Sequence, residues 1–485
     1  MKSIMVLILF PLVLLSQQVR FDDYFTDNTM RIDYYHSGDS DEEFFTLNKI
    51  YKQGTWAGTT KNLVDPFNLG KYYVKVYDCF DNALIYSRGF ATYFGEYQTT
   101  DPAKDGIKKT FHETLLIPYP KSKVLVVLES RDGKNILKPI HEWEIDPEDY
   151  HINTETPDRG DKVIKIIDSG SPHQKVDLVI VGEGYTKNDV QKFEKDLKKY
   201  SDIFFTIEPF KSNKKNFNVT GILRPSAESG ADEPTKGIYK NTVMNATFNS
   251  MDSPRYLLTE DNKTVRDIAG QVPYDLAYIM VNIERYGGGG IYNTLGLFTA
   301  SEVKWNEYVF VHEFGHFFAA LADEYYTSSV AYDEFYPKGI EPLEANITAL
   351  LDPNKLKWKD LLSPGIGVPT NWGKAKFDSL NNCIGHLRKL QKQELESPDL
   401  DQENRDRITK TFADSISETY KQLNDFVSNH PLRGKIGVFE GAGYSSEGLY
   451  RPTINSIMHK FDEKDWSYYK VSERQLQKMI DYYCE

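Results

Sequence analysis

Cysteine is scarce: the 485 residues hold three, Cys79, Cys383 and Cys484. So few, and an odd number, exclude a disulfide scaffold; one bridge at most can close within the chain, with Cys383–Cys484 the expected pair, and the fold must rest on its core. Basic residues are also in deficit, 58 Lys and Arg against 71 Asp and Glu, for a formal net charge of −13. That balance argues against nucleic acid as a partner, since binding there relies on cations that neutralise phosphates. Internal repeats and low-complexity tracts are missing, and a charged fraction of 27% is ordinary for a folded chain. With 40% hydrophobic residues, the chain has apolar material for two or three domains.

Long apolar runs are missing as well, apart from IMVLILFPLVLL, Ile4 to Leu15, between Lys2 and the polar Ser16-Gln17-Gln18. One positive charge, about a dozen apolar residues and a polar end are the parts of a secretory signal peptide. The run is too short for a membrane-spanning helix. Residues 1–17 are therefore expected to be a signal peptide, and the protein to be secreted or held at the cell surface or in the periplasm. No cysteine follows the run, which argues against a lipid anchor there.

From residue 18 to 150 the pattern is short runs of alternating residues, among them MRIDYY, EFFTLNKIYKQG, YYVKVYDCF, ALIYSRGFATYF, TFHETLLIPY and KVLVVLES. Turn residues separate them, which predicts an all-β sandwich domain. Aspartate, proline and threonine between Asp146 and Asp161 read as a linker. From residue 160 to 485 the pattern changes to strands alternating with helices: KVDLVIVGEGY, NDVQKFEKDLKKYSDIFF, NFNVTGILRPSAESG and YDLAYIMVNIER. This predicts an α/β (α+β) domain with a mixed or parallel sheet. Within it, residues 377–427 form a helical insert. Its Ile408, Phe412, Ile416, Tyr420, Leu423 and Val427 share one helix face, and SPDLDQEN breaks it into a hairpin. GEGY is a poor dinucleotide loop, because Lys187 stands where the third glycine belongs.

The chemistry concentrates in VHEFGHFFAALADEYY, residues 311–326. Of three His-Glu dipeptides, His112-Glu113 and His141-Glu142 lie in strand-like runs with no second histidine in register. Only His312-Glu313-Phe314-Gly315-His316 completes HExxH. Trp305 to Phe318 is a helix-forming stretch, and residues four apart share a helix face. Both imidazoles can then reach one ion at the Zn–N distance of about 2.0–2.1 Å, with Glu313 set aside for a water. Two core histidines satisfying each other is the alternative, and burying them beside a glutamate would be costly. The third ligand is less direct. On a continuous helix Asp323 would share the face of His316 but lie about 10 Å further along the axis. Either the helix ends near Phe318 and turns back, without a glycine to ease the break, or the ligand comes from elsewhere. Asp323, then Glu324, then a distant carboxylate are the candidates.

HEFGHFFAALADEY is similar to the signature of the M64 metallopeptidases, the immunoglobulin-A peptidase family (igalysins) of the metzincin clan. KVDLVIVGEGYT, PSAESGADEP, YGGGGIYN, NITALLDPNKLKWKDLL and GVFEGAGYSSEGLYRPTINSIM extend the likeness over about residues 160 to 470, and an N-terminal β-domain fits it too. The resemblance implies His312, His316 and Asp323 as zinc ligands, Glu313 as general base, and Met458 as the methionine beneath the metal. The chain departs from the usual HExxHxxGxxH/D: Ala319 replaces the glycine, and the aspartate comes one residue after Ala322. Lys460 stands where some metzincins carry a tyrosine, which leaves Tyr444 or Tyr450 as candidates to stabilise an oxyanion.

A secreted Zn2+ endopeptidase acting on protein or peptide is the leading expectation. A zinc hydrolase of a non-peptide bond, and a binding or adhesion protein carrying a peptidase-like zinc domain, are its rivals. A monomer is expected, with a host glycoprotein or glycan as a partner of the N-terminal domain. The strand Tyr278–Ile283 and the loop Gly287–Gly290 are expected to border the cleft and align an extended peptide through main-chain hydrogen bonds.

Overall fold

A computed structural model describes residues 19–155, 160–253, 256–326, 336–397, 399–460 and 465–485. The expected signal segment, residues 1–17, lies outside them. Among the described residues no helix is long and apolar enough to cross a membrane.

After one helical turn, α1 (Phe21–Tyr24), seven strands follow: β1 (Phe25–Gly38), β2 (Glu43–Lys52), β3 (Tyr72–Asp78), β4 (Leu84–Phe90), β5 (Lys109–Pro120), β6 (Val124–Arg131) and β7 (Leu137–Ile145). They form two antiparallel sheets, ordered β2-β1-β5 and β4-β3-β6-β7. Alternation sets their facing. Ile32 and Tyr34 of β1, with Leu115 and Ile117 of β5, pack on Val74 and Val76 of β3 and on Val126 and Leu128 of β6. Arg31 and Asp33 point to the opposite face and are buried there as well, with Arg31 Nη2 2.6 Å from Asp33. The run ALIYSRGFATYF is not one strand: β4 ends at Phe90, and two short helices follow, α2 (Tyr93–Tyr97) and α3 (Asp101–Lys104). Thr92 starts the first of them, its hydroxyl accepting the Gly95 amide proton at 2.9 Å.

The second region is built on one six-stranded sheet, ordered β12-β13-β11-β9-β10-β8. Its strands are β8 (Lys162–Ile167), β9 (Val176–Glu183), β10 (Phe217–Leu223), β11 (Leu276–Val281), β12 (Gly288–Ile291) and β13 (Leu295–Thr299). The four inner strands are parallel and the two edge strands antiparallel. Strands β9 and β11 are buried along their whole length, as continuous apolar runs require when a parallel sheet is covered on both faces. Leu178 and Ile180 face α4 (Val190–Phe204), α6 (Lys304–Ala319) and α9 (Tyr469–Cys484). Val179 and Val181 face α5 (Asn262–Ala269) and also Tyr93, Phe94 and Phe111 of the N-terminal region. The two regions thus share a hydrophobic core, and Arg31 Nη1 crosses the seam to Asp267 at 2.8 Å.

The insert is a helical hairpin, α7 (Lys374–Leu395) and α8 (Gln402–Ser428), somewhat longer than residues 377–427; Pro398 in its connection lies outside the described residues. Phe377, Ile384, Leu423 and Val427 pack it together and onto Tyr326 and Phe439. A two-stranded hairpin, β14 (Phe439–Ala442) and β15 (Ser445–Arg451), follows. The expected Cys383–Cys484 bridge is not formed. Cys383 is exposed on α7, Cys484 sits at the end of α9 with its thiol 3.6 Å from the Asn216 carbonyl, and all three cysteines are free thiols.

Candidate metal centre

Helix α6 carries His312, Glu313 and His316, and it can pack this closely because residue 315 is glycine. A β-carbon there would lie 2.8 Å from Met458 Sδ and 3.0 Å from the Tyr468 ring. The helix ends in time for the chain to turn back towards the histidines. Ala320 takes φ 50°, ψ 40°, and the amides of Ala320 and Leu321 bond back to the His316 and Gly315 carbonyls. This is a left-handed helix stop of the αL kind, made here by alanine in place of glycine. The chain reverses at once and brings Asp323 back beside the histidines. Asn346 braces the return: its side chain accepts from the Ala322 amide and donates to the Ala322 carbonyl, each at 2.8 Å.

Three side-chain atoms converge. His312 Nε2 is 3.2 Å from His316 Nε2, and Asp323 Oδ1 is 3.1 Å and 3.2 Å from the two nitrogens. The tautomers follow from the other ring nitrogens. His312 Nδ1 lies 2.8 Å from the Ile457 carbonyl and His316 Nδ1 2.5 Å from that of Leu321. A carbonyl only accepts, so each Nδ1 carries the proton and each neutral ring presents a lone pair at Nε2. Asp323 Oδ1 is buried without a hydrogen-bond donor. Three electron-rich atoms at this spacing need a cation among them. Ligand atoms about a tetrahedral ion at 2.0–2.1 Å stand about 3.3–3.4 Å apart, close to the spacing found. The donor set fits a zinc-type ion. Without one, the same geometry attracts a proton. Burial disfavours the His316 cation, but contact with Asp323, and Glu313 nearby, outweigh it and raise its pKa to about 9. Burial likewise pushes the Asp323 carboxyl up, yet His316 and His312 hold it well below the usual carboxylate range.

Glu324, the second candidate ligand, points away. It is fully buried, accepting from Ser456 Oγ at 2.7 Å and Asn346 Nδ2 at 3.0 Å, and burial raises its pKa to about 7. Its amide bonds to the Met458 carbonyl at 2.8 Å, so it ties the Asp323 segment to the turn that also holds His312. Met458 is fully buried against α6 at Gly315. Tyr444 is beside the site, its hydroxyl donating to Asp323 Oδ2, whereas Tyr450 bridges to Thr348 and does not line the cavity. His112 and His141 lie on β5 and β7, outside the site.

The site opens into a cavity of about 640 Å³ lined by His312, Glu313, His316 and Asp323. The glycine run borders this cavity as expected, and the strand Tyr278–Ile283 does not. Strand β11 is hydrogen-bonded on both sides, to β9 and β13, and Tyr278 is wholly buried, so it has no free edge for a peptide. The glycine run forms edge strand β12, not a loop, and Gly288 and Gly290 line the cavity. They are glycines because α6 crosses directly against them: a β-carbon on Gly290 would lie 2.5 Å from the Glu313 carbonyl oxygen, and one on Gly288 3.0 Å from Glu313 Cγ. The opposite wall belongs to the N-terminal region, through Lys71, Gly95, Glu96, Thr99, Arg131 and Asn135 among others. Sequence reasoning missed that wall. No local pattern marks it, since it exists only once the shared core has brought the two regions together.

Compared with known proteins, the chain matches two family descriptions: IgA Peptidase M64 over residues 164–480 and Peptidase M64 N-terminus over residues 20–142. Among curated proteins none matches significantly. With a metal-type His-His-Asp cluster in its cleft and both family segments along its length, the chain belongs to the M64 family of metallopeptidases.

Proposed function

We propose that the protein is a secreted, zinc-dependent endopeptidase, with His312, His316 and Asp323 as the metal ligands and Glu313 as the general base. The observation that carries this reading is the convergence of two Nε2 lone pairs and one buried carboxylate oxygen within 3.1–3.2 Å at the floor of a cleft. Three protein ligands leave an open position, the mark of a catalytic site as opposed to a structural one. When bound, zinc supplies Lewis acidity, polarising the scissile carbonyl and acidifying water near neutral pH. Glu313 is partly exposed on the cavity wall, next in sequence to a ligand, which suits it to take the proton of an attacking water and return it to the leaving amine. Met458 beneath α6, the reversal at Ala320 and the antiparallel edge strand β12 support a metzincin-like catalytic domain. Residues 1–17 would direct export.

The substrate is expected to be an extended segment of protein, since the metal cluster is reached through a cleft with walls on both sides. The test is Glu313→Gln. That variant should retain zinc at wild-type stoichiometry and lose hydrolysis of an unstructured protein such as casein by at least about 10²–10⁴-fold. Cleavage at the wild-type rate by Glu313→Gln would falsify the mechanism.

A further inference from the structure

We propose that Tyr444 is a positioning residue for the metal centre: the β14–β15 hairpin places its hydroxyl on the outer oxygen of Asp323, which fixes the inner oxygen towards the two histidines. The inference rests on the metallopeptidase reading but concerns a residue that reading does not need.

The turn itself is strained. Gly443 and Tyr444 are its two central residues, with φ of 53° and 63°, and Ala442 pairs with Ser445 across it. A two-residue hairpin with positive φ at both central positions is a type I′ turn, whose second position favours glycine. This chain puts a bulky tyrosine in that left-handed conformation, which side chains of its kind rarely adopt. Strain of this sort persists where the surroundings over-determine it, and such places cluster at functional sites.

The surroundings here are the ligand segment. The Gly443 amide donates to the Asp323 carbonyl and the Tyr444 amide to the Tyr325 carbonyl, both at 3.0 Å. The turn is thus laced to the main chain on either side of Glu324. The Tyr444 ring stands edge-on to Tyr325 at 5.5 Å between centroids, and its hydroxyl donates to Asp323 Oδ2. Asp323 Oδ1, the oxygen that faces both histidines, has no hydrogen-bond donor of its own. The two carboxylate oxygens therefore have separate duties, one held by a phenol and one left for a cation. A phenol has a single proton, and while Asp323 accepts it the hydroxyl is not free to stabilise an oxyanion. The hairpin follows the helical insert in sequence, more than a hundred residues after Asp323, so nothing in the HExxH stretch announces this support.

The experiment compares zinc affinity, by competition with a chelator, in the wild-type protein, Tyr444→Phe and Tyr444→Gly, with unfolding of each metal-free protein followed alongside. Outer-shell partners of metal ligands are typically worth about 10–100-fold in affinity. Both variants should lose zinc affinity by that factor. Metal-free Tyr444→Phe, which leaves Asp323 Oδ2 without its donor, should unfold cooperatively at a somewhat lower urea midpoint, and Tyr444→Gly should trade the relaxed turn against the lost ring contact with Tyr325. At saturating zinc the Tyr444→Phe variant should recover a near-wild-type kcat. Zinc held by Tyr444→Phe as tightly as by the wild type overturns the inference and leaves the peptidase reading standing. A large loss of kcat at full zinc occupancy with unchanged affinity also overturns it, and moves the hydroxyl onto the substrate. If the wild type itself holds no zinc, the peptidase reading fails and this one with it.

Discussion

Gly290 separates catalytic geometry from mere stability. Its β-carbon would sit 2.5 Å from the Glu313 carbonyl oxygen and 3.2 Å from His316 Cβ. Its φ is not positive, so alanine suits the backbone and only the contact matters. A carbon and a carbonyl oxygen come to rest at about 3.2–3.4 Å, so β12 and α6 must part by roughly 0.7–0.9 Å, at an overpacking cost of about 1–3 kcal/mol. The displaced atoms belong to the proposed base and one proposed ligand, and a misplacement of about 1 Å can cost on the order of 10²-fold in rate. Gly289 is the internal control. Its β-carbon would point to the other face of β12, 2.8 Å from Leu258 Cδ2, the end of a flexible side chain that can shift. Gly290→Ala should therefore lower kcat/KM on a peptide by about two orders of magnitude, while Gly289→Ala should lose far less at a similar thermal stability. Equal losses from the two, or full activity in Gly290→Ala, would refute the claim that β12 rests on α6 at Glu313, the proposed base.

Asp33 should give the protein an acid limb. Burial raises its carboxyl, but His112, Arg31 and Thr114 outweigh this and hold its pKa at about 2. Because the folded value is depressed, the contribution is complete above the unfolded pKa of about 4 and is lost as pH falls towards 2; a shift of this size is about 2.5 kcal/mol. Urea unfolding between pH 5 and 2 should show a shallower acid limb in Asp33→Asn than in the wild type, and an unchanged limb would count against it. Ala320→Gly should preserve the helix reversal and remove a left-handed alanine, a gain of about 1–2 kcal/mol partly offset by the added freedom of the unfolded chain. The expected outcome is a urea midpoint at or above the wild-type value with zinc affinity retained; a clear drop would mean that the stop at Ala320 is wrongly understood.

What could be read in advance was whatever is written locally. The i, i+4 spacing of His312 and His316 fixes their common face on any helix, and α6 begins and ends within a residue of the stretch expected from composition. Alternation likewise anticipated β1, β3, β5 and β6, because one face of each meets the sandwich core. What stayed open or failed has physical causes. Ala320 has no intrinsic preference for the left-handed region, so the helix stop comes from tertiary bracing by Asn346 and the turn at Ile457–Met458. The four-glycine run has low strand propensity and reads as a loop, yet the need to approach α6 selects glycine within a strand. Tyr278–Ile283 resembles a cleft border only until the strand order places β11 between two neighbours. The acidic pair at 323–324 divides its labour by which side of the reversal each carboxylate faces, and sequence does not record that.

The seam between the two regions bears on how a substrate reaches the proposed metal ligands. A hinge that opened there would strip Tyr93, Phe94 and Phe111 from Val179 and Val181 and part Arg31 from Asp267. Swinging the walls apart would thus amount to partial unfolding. Traffic to the metal cluster must instead pass through the mouth of the cleft, so loops, tails and already loosened stretches of a target protein should be cut first, and compact folds should resist until they breathe.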